Sequence, residues 1–198
     1  MNITILTFEG FNELDSLIAF GILSRIKKDD WKVTLASNQS SVTSMNGLTV
    51  NIESSLEDVS KADVVIVGSG MKTRDIINDD EIMSSLKLDL SRQIIVSQCS
   101  GALILAKLGI LGSIPACTDL TSKPWVQETG VEVLNQAFYA KDNIATSGGC
   151  LASVYLSAWV IAKTLGIEEA KEQIYYFAPV GEKELYISQT IENITPYL

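Results

Sequence analysis

The sequence predicts a doubly wound α/β domain with a mostly parallel sheet and helices on both faces. Two observations carry this prediction: apolar runs that are continuous instead of alternating, and segments of helical period between those runs. Strands that are covered on both faces need apolar residues at every position, so continuous runs are typical of a parallel sheet. Right-handed crossovers then place helices on both faces. The length of 198 residues fits a single domain spanning residues 1–198.

Four apolar, β-branched runs are predicted to be strands of this sheet. They lie at residues 3–6, 33–35, 64–67 and 94–96. Two hairpins are predicted as well, one turning at Met45-Asn46-Gly47 and one at Lys141-Asp142-Asn143. Asn and Asp tolerate the dihedral angles of such tight turns, which is why these segments are expected to reverse the chain.

Two segments have the period of a helix that buries one face. The first repeat comprises Leu14, Leu17, Ile18, Gly21 and Ile22, and the second comprises Leu151, Val154, Tyr155, Ala158, Ile161, Ala162 and Leu165. The segment after Pro179 has the weakest pattern. It is expected either to pack on the surface of the domain or to reach a second subunit.

Composition excludes several classes of partner. The formal charge is -9 and the Lys and Arg residues form no cluster, so neither nucleic acid nor an anionic membrane is an expected partner. No stretch approaches the roughly 18 apolar residues of a spanning helix, and Met1 leads into a strand without a basic segment. With three cysteines too far apart for a disulfide framework, a cytoplasmic protein with reduced thiols is predicted.

The chain contains no histidine. This absence removes the commonest general base and the commonest zinc ligand together. We therefore expect no metal and no cofactor, and any cysteine chemistry must proceed without a Cys-His pair.

Residues 94–103 carry the strongest functional signal. A buried strand changes abruptly to a helical period, and Cys99 falls at the junction. Ser97 and Gly101, two residues before and after it, are as small as a sharp strand-turn-helix requires. The segment is interpreted as a nucleophile elbow that presents Cys99. The alternative is a small buried thiol at a strand end, since cysteine is among the most buried residue types.

The predicted elbow would also place Cys99 at a helix N-terminus, where the helix dipole favours the thiolate. The N–H of Ser100 is expected to point at a developing anion, and Gly70 in the loop Gly68-Ser69-Gly70 offers a second donor. Together they would form an oxyanion hole at the carboxyl ends of the strands. The alternative for the 68–70 loop is an ordinary turn.

These residues resemble the ThiJ/PfpI family of the class I glutamine amidotransferase-like superfamily, and within it the isonitrile hydratase branch. The resemblance covers most of the chain and rests on four segments: residues 8–15 (Phe-Glu-Gly-Phe-Asn-Glu-Leu-Asp), Gly68-Ser69-Gly70, the Cys99 elbow and Ser147-Gly148-Gly149. It implies a flavodoxin-like fold and an intracellular homodimer acting on a small molecule.

The resemblance also implies a partner for Cys99. In the family an acidic residue opens the first helix and reaches the nucleophile, and the matching position is Asp15. Protease-like relatives usually have Glu there and a His in the segment that matches Cys117-Thr118-Asp119, so Asp119 departs from their pattern. Hydratase-like members instead pair an Asp with a hydroxyl residue after the cysteine, and here Ser100 takes the place usually held by Thr.

Two opposing effects act on Asp15. The helix dipole favours its anion, whereas burial beside a thiolate favours its protonated form. If burial prevails, Asp15 can both hydrogen-bond the thiolate and serve as an acid. The alternative role is a helix cap or a first-turn partner of the dipole, worth roughly 0.5 to 2 kcal/mol as a cap.

The resulting hypothesis is a lyase that hydrates an isonitrile to an N-substituted formamide through a Cys99 thioimidate, with Asp15 as acid and base. One alternative is an amidase, peptidase or glyoxalase-like hydrolase on the same scaffold. Another is a non-catalytic redox or oxidative-stress sensor in which Cys99 is oxidised to a sulfinic acid.

Five further side chains have open roles at this stage. Cys150 is expected to begin the long helix close to Cys99, where it serves packing or, less readily, forms a disulfide with Cys99. Cys117 is assigned to a packed strand edge. Trp125, Phe138 and Tyr139 either line the pocket or belong to the core.

Overall fold

The structure of the protein, a computed structural model, describes residues 1–198. It contains nine strands: β1 (Asn2–Leu6), β2 (Lys32–Ser37), β3 (Ser41–Thr43), β4 (Thr49–Asn51), β5 (Ser54–Ser55), β6 (Val64–Val67), β7 (Ile94–Gln98), β8 (Phe138–Lys141) and β9 (Ile144–Ser147). It contains eight α-helices: α1 (Glu13–Leu23), α2 (Thr73–Ile76), α3 (Asp80–Ser85), α4 (Gly101–Lys107), α5 (Lys123–Gln127), α6 (Ser153–Leu165), α7 (Ile167–Phe177) and α8 (Lys183–Ile194). Short 3₁₀ segments cover residues 56–61, 150–152 and 195–197.

Seven strands form the central sheet in the order β5-β2-β1-β6-β7-β9-β8. All neighbouring strands are parallel except β8, which pairs antiparallel with β9 at one edge. Each of the four predicted apolar runs lies in one of these strands. The two predicted hairpins are β3-β4 and β8-β9, and Asp142 in the second turn has a φ of 56°. The predicted doubly wound α/β fold is confirmed.

Helices cover both faces of the sheet. Alternate residues of a strand enter opposite cores: Ile3 and Ile5 of β1 join one cluster, whereas Leu6 joins the other. The two clusters contain 22 and 21 buried residues, so neither face is left open. This balance explains why the strands are apolar along their whole length. No helix is both long and apolar enough to cross a bilayer.

The buried face of α1 differs from the predicted one. Leu14, the first residue of the predicted stripe, is 55% exposed, whereas Asp15, Ser16 and Ala19 are fully buried. The helix is turned by about one residue because the polar side chains of its first turn face the ends of the strands. The same correction applies before α6, where Leu151 is 75% exposed.

The segment after Pro179 folds back onto the domain. It forms α8 and a final 3₁₀ turn, and Ile194 is fully buried in the first core. Trp159 Nε1 donates a hydrogen bond to the backbone oxygen of Tyr197 at 3.0 Å, which anchors the terminus. Of the two expected placements, packing on the domain is the one observed.

Candidate active site

The candidate site lies at the carboxyl edge of the sheet, where β1, β6, β7 and β9 end side by side. In the strand registers Leu6 pairs with Val67, and Val67 pairs with Ser97. Gln98 pairs with Ser147 on the other side. The loops that follow these strands therefore meet, in the place where open parallel sheets bind ligands.

Cys99 directly follows β7 and has a φ of 44°, in the left-handed region that residues other than glycine seldom adopt. Two hydrogen bonds hold its backbone in this conformation. Cys99 N donates to Ser147 O at 2.8 Å, and Thr118 Oγ1 donates to Cys99 O at 2.7 Å. The helix α4 begins two residues later, at Gly101. The geometry of the predicted nucleophile elbow is thus confirmed.

Gly101 has to be a glycine because the neighbouring strand passes directly beneath it. A Cβ atom at this position would overlap the backbone oxygen of Val67 and lie 2.8 Å from that of Gly68. Both oxygens belong to the end of β6 and cannot move without distorting the sheet. The small residue that the elbow needs is therefore fixed by a backbone contact.

We predict that Gly101→Ala lowers the free energy of unfolding by on the order of 2–3 kcal/mol, because the added methyl group overpacks rigid backbone. Gly21→Ala is a matched control. Its nearest contact, Phe177, would be 3.6 Å away, and alanine raises the stability of a helix interior by up to about 1 kcal/mol. Urea unfolding followed by circular dichroism measures both. A Gly101→Ala protein as stable as the wild type would contradict the close approach.

Asp15 is fully buried, and hydroxyl groups from two other elements hold its carboxylate. Ser69 Oγ donates to Oδ2, and Ser153 Oγ donates to Oδ1 at 3.4 Å. Gln98 Nε2 donates both to the backbone oxygen of Asp15 at 2.6 Å and to Ser153 Oγ at 2.8 Å. The carboxylate is therefore oriented by a buried network that joins α1, β7, α6 and the loop after β6.

Asp15 is not the cap of α1. That role belongs to Asn12, whose Oδ1 accepts a hydrogen bond from Leu14 N at 3.1 Å. The alternative capping role of Asp15 is therefore wrong, and its full burial has to be explained by something other than helix termination. Asp15 does lie in the first turn of α1, as the other alternative, a partner of the helix dipole, requires.

Burial raises the pKa of the Cys99 thiol far above its usual value, and the charge of Asp15 and a hydrogen bond with it raise that pKa further. A hydrogen bond from the backbone of Gly149 acts in the opposite direction. Since burial and a neighbouring negative charge both disfavour a thiolate, Cys99 keeps its proton at neutral pH. The dipole of α4, a helix of only seven residues, still favours the thiolate, but burial and the charge of Asp15 outweigh it, so the pKa of Cys99 is raised where a lowered pKa was expected.

The predicted oxyanion donors differ in their availability. The Gly70 N–H donates to Ser100 Oγ at 3.1 Å, and Ser100 Oγ lies 2.7 Å from Thr73 Oγ1. Gly70 is therefore engaged by a protein acceptor, where a free donor was expected. The backbone N–H of Ser100 has no hydrogen-bond partner, and it adjoins Cys99. The Ser100 side chain holds the loop while its N–H is free for a ligand.

A cavity of about 450 Å³ opens over Cys99, a size that suits a small organic ligand. It is lined by Asn12, Met45, Ser69, Gly70, Met71, Cys99, Ser100, Asp119, Thr121, Ser122, Trp125, Gly149 and Cys150. No group of three or more His, Cys, Asp or Glu side chains is arranged to hold a metal ion. The cavity thus exposes the candidate nucleophile to a ligand, and the rest of its wall is partly apolar and partly polar.

Of the three aromatic residues with open roles, only Trp125 lines this cavity. Phe138 packs against Trp159 and Tyr197, with ring centroids 6.1 and 5.7 Å apart. Tyr139 packs against Tyr197 at 5.2 Å. Phe138 and Tyr139 therefore belong to the packing between β8 and the C-terminal segment.

The other two cysteines have separate environments, and all three thiols are free. Cys150 lines the cavity beside Cys99 and accepts a hydrogen bond from Asn12 Nδ2 at 3.2 Å. It begins the 3₁₀ segment that precedes α6. Cys117 is fully buried, and its backbone N donates to Thr146 Oγ1 at 2.8 Å. Burial raises the pKa of Cys117 to about 12, which fits a packing role.

Three residues of the site network escaped the sequence analysis as partners of Asp15. Ser69 was predicted only as part of the 68–70 loop. A hydroxyl residue between two glycines directly after a strand does, however, indicate a candidate site residue. Gln98 was also detectable, because a polar residue at the end of a buried strand needs an internal partner. Ser153 gave no signal, since it lies 138 positions from Asp15 in the chain.

Comparison with known proteins identifies the family of the chain. A model of the DJ-1/PfpI family matches residues 1–163. The chain belongs to this family. The DJ-1/PfpI family is the one that the sequence was found to resemble, and its members include cysteine-dependent enzymes and redox sensors. Among curated proteins, none matches the chain.

Solved structures of the DJ-1/PfpI family share the fold at low sequence identity. Drosophila melanogaster DJ-1beta is 20% identical, with a TM-score of 0.77 over 89% of this chain and 96% of that one. A ThiJ/PfpI family protein from Pseudomonas syringae is 18% identical, with a TM-score of 0.77 over 98% and 87% of the two chains. Schizosaccharomyces pombe DJ-1 is 13% identical, with a TM-score of 0.76 over 90% and 100%.

Proposed function

We propose that this chain is a cysteine-dependent lyase that hydrates a small isonitrile to an N-substituted formamide. Cys99 is the nucleophile and Asp15 is the group that moves the proton. The observation that carries the proposal is the fully buried carboxylate of Asp15, which Ser69 and Ser153 hold and whose charge raises the pKa of the Cys99 thiol, in a chain that has no histidine. Cys99 supplies a nucleophile in the wall of the cavity, and Asp15 supplies a buried proton carrier beside it.

In the first step the Cys99 sulfur attacks the isonitrile carbon. Asp15 accepts the thiol proton as the sulfur–carbon bond forms, and the same proton then passes to the carbon. The product is a thioimidate, R–N=CH–S–Cys99. Asp15 suits this task because Ser69 and Ser153 orient its carboxylate, and a positioned acid–base group contributes typically about 10²–10⁴-fold in rate.

In the second step water adds to the thioimidate carbon, and the carbon–sulfur bond breaks. One proton of the water goes to the nitrogen, the other returns to the sulfur through Asp15, and the formamide R–NH–CHO leaves. The balance is one isonitrile and one water for one formamide. The Ser100 N–H donates a hydrogen bond to the negative charge that develops on the substrate as water adds to the thioimidate carbon, and so stabilises it. Gly70 is proposed as the second donor. Its N–H would first release Ser100 Oγ and then donate to the substrate.

The environment of Cys99 favours an enzyme over a peroxide sensor. Peroxides react with the thiolate, and the raised pKa of Cys99 keeps the thiolate fraction low at neutral pH. A nucleophile that is deprotonated only as it attacks fits turnover better than spontaneous oxidation. Protease-like members have a histidine in the segment where this chain has Asp119. The usual base of a peptidase is therefore missing.

A substrate panel tests this proposal. The wild-type protein is incubated with benzyl and cyclohexyl isonitrile, methylglyoxal, a primary amide and a short peptide, and products are followed by proton NMR. We expect N-substituted formamides from the isonitriles and no turnover of the other compounds. Turnover of methylglyoxal, the amide or the peptide without formamide production would contradict the proposal.

We also propose that the chain pairs with a second copy of itself next to this cavity. Leu14 on α1 is 55% exposed, and Met45 and Leu48 of the first hairpin are 46% and 44% exposed. Asn46 Nδ2 donates to Glu13 Oε1 at 2.5 Å, so helix and hairpin form one surface. Burial of such apolar side chains is the usual drive for association.

We predict a homodimer by light scattering, and Leu14→Glu is expected to convert it to a monomer because it buries an unpaired charge. Leu185→Glu is the control, since Leu185 on α8 is 62% exposed and lies outside this surface. A wild-type monomer, or a dimer that Leu14→Glu leaves intact, would contradict the proposed contact.

A further inference from the structure

The cavity over Cys99 is lined by one acidic side chain and by no cation. Asp119 is in its wall, and Asp15 lies behind Cys99. None of the lining residues is Lys or Arg. Neither Asp15 nor Asp119 forms an ion pair with a cation, so the charged groups around Cys99 are carboxylates.

The charge of Asp119 is not neutralised within the protein. Its Oδ1 accepts hydrogen bonds from the backbone N–H groups of Thr121 and Ser122, each at 2.9 Å. Its Oδ2 accepts none, and Asp119 takes part in no ion pair. One carboxylate oxygen is thus fixed by the turn before α5, and the other is left for a ligand.

Asp119 is also close enough to the reacting sulfur to act on it, since its charge adds to the rise in the pKa of Cys99. The cations of this region lie in adjoining cavities. Lys123 lines one of about 390 Å³, of which Asp119 also forms part of the wall, but it forms no ion pair with Asp119. Arg74 lines another of about 180 Å³, where its guanidinium is 5.2 Å from the Trp125 ring. Neither of these cations faces the cavity over Cys99.

We propose that Asp119 determines the charge of the substrate, so that the site takes uncharged and cationic electrophiles, prefers those that carry an ammonium group, and rejects anions. This inference rests on the proposed function, because it concerns molecules that reach Cys99. Opposite charges a few ångströms apart in a partly buried site attract strongly, and like charges repel equally.

The test compares two methanethiosulfonates of similar size, the 2-(trimethylammonium)ethyl and the 2-sulfonatoethyl reagents. Both form a mixed disulfide with a thiolate and release methanesulfinate. They are applied to a Cys117→Ala/Cys150→Ala background, in which Cys99 is the remaining thiol, and rates are divided by those with 2-mercaptoethanol. Asp119→Asn removes the charge and retains the Oδ1 acceptor of the turn. Glu168→Gln, at an 82% exposed side chain, is the charge-matched control.

We expect the cation to react about tenfold or more faster than the anion, and Asp119→Asn to lower that ratio by about fivefold, whereas Glu168→Gln leaves it unchanged. High salt should leave most of the preference in place, since a partly buried charge is little screened. A ratio near one, or a ratio that Asp119→Asn does not change, would overturn the inference.

The proposed function can fail separately. If isonitriles are not hydrated but the charge ratio behaves as expected, the reaction is wrong and the charge preference stands. If neutral isonitriles are hydrated, the inference also requires that 2-ammonioethyl isonitrile be turned over faster than 2-carboxyethyl isonitrile. Equal kcat/KM values for these two substrates would overturn the inference and leave the hydratase function in place.

Discussion

A Cys99→Ala protein is expected to lose isonitrile hydration by on the order of 10⁴-fold or more, as is typical when the nucleophile of a covalent mechanism is removed. No other thiol can replace it. Cys117 is fully buried, and Cys150, although it lines the cavity, accepts a hydrogen bond from Asn12 and stands on a different segment. Initial rates of formamide release, measured by chromatography, check this result.

Cys150→Ala is the matched control for this prediction. It removes a thiol of the same cavity without touching the elbow, so we expect most of the activity to remain. Thermal unfolding of both variants separates a chemical effect from loss of structure. Substantial formamide production by folded Cys99→Ala protein would contradict the assignment of the nucleophile.

Asp15→Asn is expected to lower kcat by about 10²–10⁴-fold, because the amide fills the same space and cannot accept and return the proton. The same variant should increase the reactivity of Cys99. The charge of Asp15 raises the pKa of the thiol, so its removal lowers that pKa and increases the thiolate fraction near pH 8. Turnover falls while simple alkylation accelerates.

Alkylation by iodoacetamide as a function of pH measures this dissociation. In the wild type the rate at Cys99 should still be rising above pH 9, and in Asp15→Asn the rise should begin at lower pH. Peptide mapping assigns the label to Cys99. A variant in which turnover and alkylation fall together would mean that Asp15 supports the structure of the site and carries no proton.

The sheet and the elbow were predictable because each depends on residues that are neighbours in the sequence. Continuous runs such as residues 64–67 leave a buried strand as the simplest arrangement. The elbow rests on Cys99 between Ser97 and Gly101, and the structure supplies the reason for Gly101 in the backbone oxygens beneath it. A position at which the backbone leaves no room for a side chain requires a small residue, and a small residue can be recognised in the sequence.

The partners of Asp15 were not predictable in the same way. Ser69, Gln98 and Ser153 come from three elements, and only the sheet order brings them together. The periodicity of α1 was misleading for a related reason. A pattern of apolar residues predicted Leu14 to be buried, whereas the site requires its neighbour Asp15 to face inward.

The protonation state of Cys99 was predicted from one local effect and reversed by tertiary ones. A helix N-terminus favours a thiolate, but burial and a carboxylate outweigh it in this site. The Gly70 N–H was likewise expected to be free and is engaged by Ser100 Oγ. In both cases the outcome depends on contacts between residues distant in the chain.

The central claim is that Cys99 bonds to the substrate carbon with Asp15 as its proton partner. Rapid acid quench of the enzyme during turnover of an isonitrile, followed by mass spectrometry of its peptides, tests it most directly. We expect an adduct on Cys99 whose added mass equals one intact isonitrile, and no such adduct in Cys99→Ala protein. Formamide production with no adduct at Cys99, or with the adduct on Cys150, would contradict it.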